Sequence, residues 1–376
     1  MNKQKILSVL KNIVSIIIVI SLFVIIYYQN RDRGFSKLIS DKTADVSQEN
    51  EASMEGYLSG DVCRVNGKVA FLTTNSYSVV DKDGKSADTE IAISQPVINS
   101  EGDFVIYYSK DSKEATVCKK ESEYYSIKTG NRIIKCKVNR NGYSVVVTEK
   151  EGYSSEILVY NRVGEAVFKW DLSKSELIDV DINSDNNKLA ISVVEATENK
   201  MNGKIMLIDT TDASVLEGQY FESEAFYNLE FNRNGTIIAI GNSKLAYLNA
   251  DGTLKWEHSY DGKTLLKADI SNPDMMALAF VNAGSGVKGN STNVEIVNRL
   301  GKAVSQKTFD GHAEDISVSN KRIAIAFGRT VKVYDEKLSE KDSAEAETGI
   351  KRLVFYDDDN HLFVLGNTGA NIIKVR

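Results

Sequence analysis

The chain has 376 residues, 42% hydrophobic and 26% charged, which supplies an ordinary core and excludes global disorder. Its 46 basic residues are outnumbered by 52 acidic ones, the formal charge is -6 and no long basic block occurs, so no nucleic-acid partner is expected. Two prolines exclude collagen-like repeats and proline-rich stalks, and cysteines at 63, 118 and 136, without metal-ligand spacing, give neither a disulfide framework nor a structural zinc site.

Residues 1–12 form a short basic tail with Lys3, Lys5 and Lys11. Residues 13–28, Ile13 to Tyr28, run without charge, glycine or proline. At a helical rise of 1.5 Å per residue that run covers about 24 Å, a little less than a hydrocarbon core of ~30 Å. Snorkelling of Lys11 and Asn12, and the placing of Tyr27 and Tyr28 at headgroup level, make up the difference. The segment predicts a transmembrane signal-anchor helix in contact with membrane lipid. A cleaved signal peptide is the alternative, but Tyr27-Tyr28-Gln29-Asn30-Arg31 offers no small-residue cleavage site and no cysteine follows for lipid attachment. Arg31, Arg33 and Lys37 behind the segment nearly balance the lysines before it. The basic tail ahead of a signal-like run favours a cytoplasmic N-terminus, which puts the remaining chain in an extracytoplasmic location at the cell membrane.

Residues 29–56 carry many charges and few large apolar side chains and read as a polar tether. From Tyr57 the texture changes. Residues 57–376 alternate short apolar runs with Asn, Asp, Gly and Ser clusters, and none sustains a helical period over three turns, so the domain is all-β. One turn phrase recurs: Val65-Asn-Gly67, Asn99 to Gly102, Asn139 to Gly142, Asn183 to Asn187, Asn232 to Gly235, Ser271 to Asp274, Ser319 to Lys321 and Asp357 to Asn360. The spacings run from 35 to 48 residues and average about 42, the period of a four-stranded propeller blade. Middle strands such as Thr236 to Ile240 and Arg322 to Phe327 are nearly all apolar, as expected for sheets covered on both faces. Third strands should turn at Asp83-Gly84, Thr129-Gly130, Val163-Gly164, Asp251-Gly252 and Leu300-Gly301, before polar outer strands such as Thr253 to Ser259.

The segment Ala246-Tyr-Leu-Asn-Ala-Asp-Gly-Thr-Leu-Lys-Trp256 resembles the repeat of quinoprotein-type (PQQ-like) propellers, in which Trp follows a turn Gly by four positions. Val159-Tyr160 through Gly164 to Trp170 is a looser copy, and Gly311-His312 with Tyr334-Asp335 resembles the Gly-His and Trp-Asp pairs of WD repeats. An N-terminal anchor followed by a divergent propeller is similar to uncharacterised membrane-anchored propeller proteins of Gram-positive bacteria. The resemblance implies fold and location, not an activity. Eight turn phrases predict a β-propeller of about eight four-stranded blades, with seven as the alternative because the first two units are poorly formed. The last unit, Lys351 to Arg376, supplies only three strands, and a segment around Ser53 to Leu58 is expected to add the fourth and close the ring.

No catalytic, cofactor-binding or metal-ligating residue is predicted. His258, His312 and His361 share no ligand spacing, and no nucleophile elbow or phosphate loop occurs. Gly284 to Gly289 lies in a hairpin loop rather than before a helix. Asp179, Asp181 and Asp185, like Asp357 to Asp359, read as solvated turns rather than a calcium site, and Glu336 to Glu347 reads as a charged outer edge. Trp170 and Trp256 read as packing residues. The cysteines read as buried small hydrophobes, with a Cys118–Cys136 bridge between adjacent blades as the alternative. A quinoprotein would need a tryptophan over the channel, metal-binding acids and often a vicinal cysteine pair. Two tryptophans in equivalent outer strands and no adjacent cysteines speak against that cofactor. The expected function is therefore a non-enzymatic binding or scaffold module for a protein or cell-envelope partner. The alternative is an extracytoplasmic enzyme on an envelope polymer, and a third reading, an envelope assembly factor, rests on analogy alone.

Overall fold

The computed structural model describes residues 51–52, 58–197, 200–281, 291–367 and 369–375. These residues form eight antiparallel sheets of four strands each, and no helix occurs among them. Each sheet is a blade, and in blades 1 to 7 the strands run in chain order from the axis outward. The inner strands are Leu58–Val65, Pro96–Glu101, Ile133–Val138, Glu176–Ile182, Phe226–Phe231, Thr264–Asp269, Asp315–Val318 and Ile350–Phe355, for blades 1 to 8. Each blade packs against the next and the last packs against the first, so the sheets close a ring. Blade 8 takes its outer strand from the start of the domain: Glu51 pairs with Asn371 and Ala52 with Ala370. Eight blades, not seven, close the ring. The closing strand lies just upstream of the expected Ser53 to Leu58, inside the segment read as tether. The apolar run 13–28 falls outside the described residues, among which no helix is long and apolar enough to cross a membrane.

There is no single core. Eight hydrophobic clusters each sit between two adjacent blades, such as Val145, Ile157, Val180 and Ile191 between blades 3 and 4. This is why the middle strands lose alternation: Ile237–Gly241 is buried at every position, and the small side chains of Ala190, Ala239 and Ala324 let neighbouring sheets approach. Outer strands, with one face in water, are the polar ones, as in Glu340–Glu345. Trp256 stacks on Tyr247 at 5.0 Å, donates Nε1–H to Arg299 O, and lies against Gly301 of the next blade. A Cβ at Gly301 would come within 2.6 Å of that indole, and the residue's φ is +74°.

All eight first turns fall where the repeat predicts them. The third turns share a device: an Asn or Asp closing the third strand accepts N–H groups two and four residues on, as at Asp81, Asn161, Asn298 and Asp335. Thr129-Gly130 is not such a turn. It follows the outer strand Ser122–Lys128 and links blades 2 and 3, while the third turn of blade 2 is the tight Lys120-Glu121, with Lys120 at φ 58°. Cys118 and Cys136 are buried and Cys63 is half-buried, and no Cys118–Cys136 bridge forms.

Strand order fixes two faces. Turns after the first and third strands lie on one face of the ring, here the hairpin face. Turns after the second strand and the links between blades lie on the other, the linker face.

Candidate functional site at the channel and its linker-face mouth

Five of the eight inner strands share an irregularity near their linker-face ends. Pairing with the second strand slips by one residue between Ile133 and Lys135, Leu177 and Asp179, Phe226 and Asn228, Leu265 and Lys267, and Ile350 and Arg352. Each slip is a β-bulge that pushes one side chain out of the sheet: Ile134, Ile178, Tyr227, Leu266 and Lys351. Ile134 and Tyr227 are 45% and 46% exposed, Ile178 and Leu266 half-buried and Lys351 exposed. The channel mouth thus carries an apolar collar on blades 3 to 6 that gives way to charge on blade 8.

Behind the collar the strands place charged groups at alternate positions. Asp179, 1% exposed, accepts Lys135 Nζ at 2.8 Å, Lys137 Nζ at 2.9 Å and the Leu229 N–H at 2.6 Å, so one carboxylate ties blades 3, 4 and 5. Lys137 Nζ also donates to Leu229 O at 2.6 Å. The same reach to the next blade recurs around the ring. Asn99 accepts Val138 N–H, Asp181 Phe231 N–H, Asp269 Val318 N–H and Asp315 Leu353 N–H. At the hairpin end Arg64 Nη2 of blade 1 donates to Ser271 Oγ of blade 6 at 2.6 Å, across the axis. The channel is bridged by its own side chains.

Burial alone would raise the Asp179 carboxyl, but Lys137 and Lys135 hold it below the usual carboxylate range. Burial pushes Asp181 up to about 7 despite Lys137 and the Phe231 N–H, with Glu101 and Asp179 adding to the rise. Burial pushes Glu230 up as well. The solvated-turn reading therefore fails for Asp179 and Asp181. They sit in an inner strand at the axis, whereas Asp185 is exposed in the turn. The available signal was a charged i, i+2 pair in the first strand of repeats 3, 4 and 6: Lys135/Lys137, Asp179/Asp181, Lys267/Asp269.

On the other side of the mouth an open cavity of about 450 Å³ lies against blades 6 to 8, lined by Lys267, Glu314, Gly328, Lys351, Arg352 and Asn367 among others. Arg352 Nη1 is 3.5 Å from Asp315. Blade 4 adds a projection: its second and third strands, Lys188–Thr197 and Lys200–Asp209, stay paired out to Thr197 and Lys200. The base of this long hairpin packs on the link holding Glu224, a fully buried carboxylate that accepts the Asn242 and Ser243 N–H groups and the Ser243 hydroxyl.

The histidines stay apart. His258 lies between Gly301 O and Glu295, His361 against Asp358, and His312 is exposed in a link. No group of three or more His, Cys, Asp or Glu positioned for a metal occurs among the described residues, and Gly284 to Gly289 falls outside them. Trp170 packs on the cluster between blades 3 and 4, far out on its blade. Asp358 stays in its turn, where against its partial burial the His361 ring, the Asn360 N–H and Lys82 hold its carboxyl at about 2. Further exposed apolar side chains, including Val167, Leu254 and Val304, stand on outer strands, which splay apart around the rim and do not converge.

No curated protein sequence matches the chain. Among solved structures, the C-terminal WD40 domain of Sif2 superposes with a TM-score of 0.60 at 13% identity, covering 86% of this chain and 100% of that one. BamB from Moraxella catarrhalis gives 0.56 at 10% identity, covering 88% and 99%. A eukaryotic initiation factor gives 0.54 at 11% identity, covering 85% and 84%. At such identities the likeness is one of fold. Residues 39–375 match a family of unknown function, DUF5711, and by that match over nearly its whole length the chain belongs to it.

Proposed function

We propose that this propeller is a membrane-tethered, extracytoplasmic binding module of a Gram-positive envelope, and that it takes a protein partner at the linker-face mouth. The observation that carries the reading is the collar of Ile134, Ile178, Tyr227 and Leu266. Apolar side chains occupy the same bulge position, at the linker-face end of the inner strand, in four successive blades, beside buried ion pairs that tie neighbouring inner strands. An apolar centre ringed by charge is the usual anatomy of a protein interface, and exposed apolar groups that recur at one position need a reason. The uncharged run 13–28 supports the tether. The rival reading, an enzyme acting on an envelope polymer, draws on Asp181 and Glu230, whose raised carboxyls sit near the axis. Asp181 is committed to the Phe231 N–H and Glu230 to Asn228, which favours a structural task.

In-cell photo-crosslinking tests the docking surface. A photoreactive side chain at position 134 or 227 should yield a discrete adduct, and one at position 254 on the outer rim should not. Equal labelling from both surfaces, or none from the mouth, would overturn the reading. Location is tested separately. Protease added to intact, wall-stripped cells should digest the propeller, and full protection would place it in the cytoplasm.

A further inference from the structure

We propose that the cavity between blades 6 and 8 is a carboxylate-binding subsite that selects an acidic residue of the docked segment; this rests on the mouth being the docking surface. The cavity brings together Lys267, Lys351 and Arg352. Arg352 is held by Asp315, which is itself fixed by the Leu353 N–H at 2.8 Å. Lys267 and Lys351 make no hydrogen bond or ion pair among the described residues, although Lys267 lies within electrostatic reach of Asp315. On blades 3 and 4, by contrast, Lys135 and Lys137 spend their charge on Asp179.

Charge balance chooses the ligand. The lining carries Lys267, Lys351 and Arg352 against Glu314, and Asp315 pairs with Arg352, which leaves a net positive charge. A carboxylate matches that balance, whereas a dianionic phosphate would meet the two acids with too little positive charge to offset them. Shape chooses its carrier. Leu266, next to Lys267 in the chain, belongs to the collar, so an extended peptide can set an apolar side chain on Leu266 and Tyr227 and a neighbouring Asp or Glu in the cavity.

The experiment pans a random-peptide display library against the full-length protein in detergent, then measures affinity of the enriched peptides by fluorescence polarisation. The enriched peptides should pair an acidic residue with an aliphatic or aromatic one. Lys267→Ala and Lys351→Ala together should weaken them by about tenfold or more, since a hydrogen bond to a charged group contributes roughly 1.5–3 kcal/mol. Tyr227→Ala should weaken the same peptides independently. Peptides that need Tyr227 but bind the lysine variants equally well would leave the docking mouth standing and overturn the carboxylate subsite. Peptides indifferent to both sets of substitutions would overturn the mouth as well. Competition by millimolar inorganic phosphate, or Lys267-dependent binding to phosphatidylglycerol vesicles in preference to any peptide, would reassign the cavity to phosphate.

Discussion

The two halves of the channel wall use the same residue types to opposite ends. On blades 3 to 5, Lys135, Lys137, Asp179 and the Leu229 N–H satisfy one another behind an apolar collar. On blades 6 to 8, Lys267 and Lys351 face an open cavity without a hydrogen bond or ion pair among the described residues, and Arg352 pairs with Asp315. A bulged inner strand puts Ile134, Ile178, Tyr227 or Leu266 at the mouth in four blades and Lys351 in a fifth. Repetition thus supplies a shared platform in five blades, and substitution at equivalent positions makes one side a clamp and leaves the other with unspent positive charge. The buried ion pairs that hold the channel should lie in the first half, and the charge available for recognition in the second.

Removing the clamp should have the largest effect. Asp179→Ala leaves two lysines and a backbone N–H of a neighbouring blade without their shared acceptor. Breaking a buried pair by deleting one partner costs about 3–5 kcal/mol, so a large drop in the denaturant midpoint is expected. Asp179→Asn, which keeps an acceptor for Leu229, should fall between. A loss below about 1 kcal/mol for Asp179→Ala would mean that the two halves do not differ in the way described.

Much of this was legible in the sequence, and the rest was hidden for a physical reason. The first turns could be read because each needs Asn, Asp or Gly at a fixed place, and the middle strands because burial on both faces leaves them almost wholly apolar. Thr129-Gly130 misled because glycine marks links as well as hairpins, and Lys120, at positive φ without being glycine, gave no sign of a turn. Asp179 and Asp181 misled because a charged pair beside an Asn-rich turn looks solvated. Only the ring brings Lys137 from one blade and Phe231 from another to them. The collar was invisible for a similar reason, since a bulge arises from pairing with the next strand and leaves no composition of its own.

A smaller effect should appear with pH. Asp181 is pushed up to about 7 in the fold, while in the unfolded chain it titrates near its ordinary value of 3.8. Between those values the folded protein holds a proton that the unfolded chain has released, so this group makes stability fall as pH rises, levelling off above about 7. Glu230, also raised, acts with the same sign. The slope from one such group is at most ~1.4 kcal/mol per pH unit. Asp181→Asn keeps the oxygen that accepts the Phe231 N–H and removes the titration. Its denaturation midpoints at pH 5 and pH 8 should therefore lie closer together than those of the unaltered protein. An unchanged difference would show that Asp181 is not the group responsible.

The smallest expected effect on stability is also the sharpest test of the contrast between halves. Lys351→Ala removes an exposed side chain with no hydrogen bond or ion pair among the described residues. Surface substitutions of that kind stay within about 0.5 kcal/mol. The cavity holds other positive charge, so deleting one lysine relieves repulsion as readily as it loses attraction to Glu314. The thermal midpoint should hardly move, or should rise slightly. Lys137→Ala, the same chemical change on the other side of the axis, should destabilise strongly, because Lys137 is only 12% exposed and bonds both Asp179 and Leu229 O. Differential scanning calorimetry of the two variants side by side reads the contrast directly. If both lysines prove equally costly to remove, the positive charge on blades 6 to 8 is holding the ring together, and the cavity it lines is not free to recognise anything.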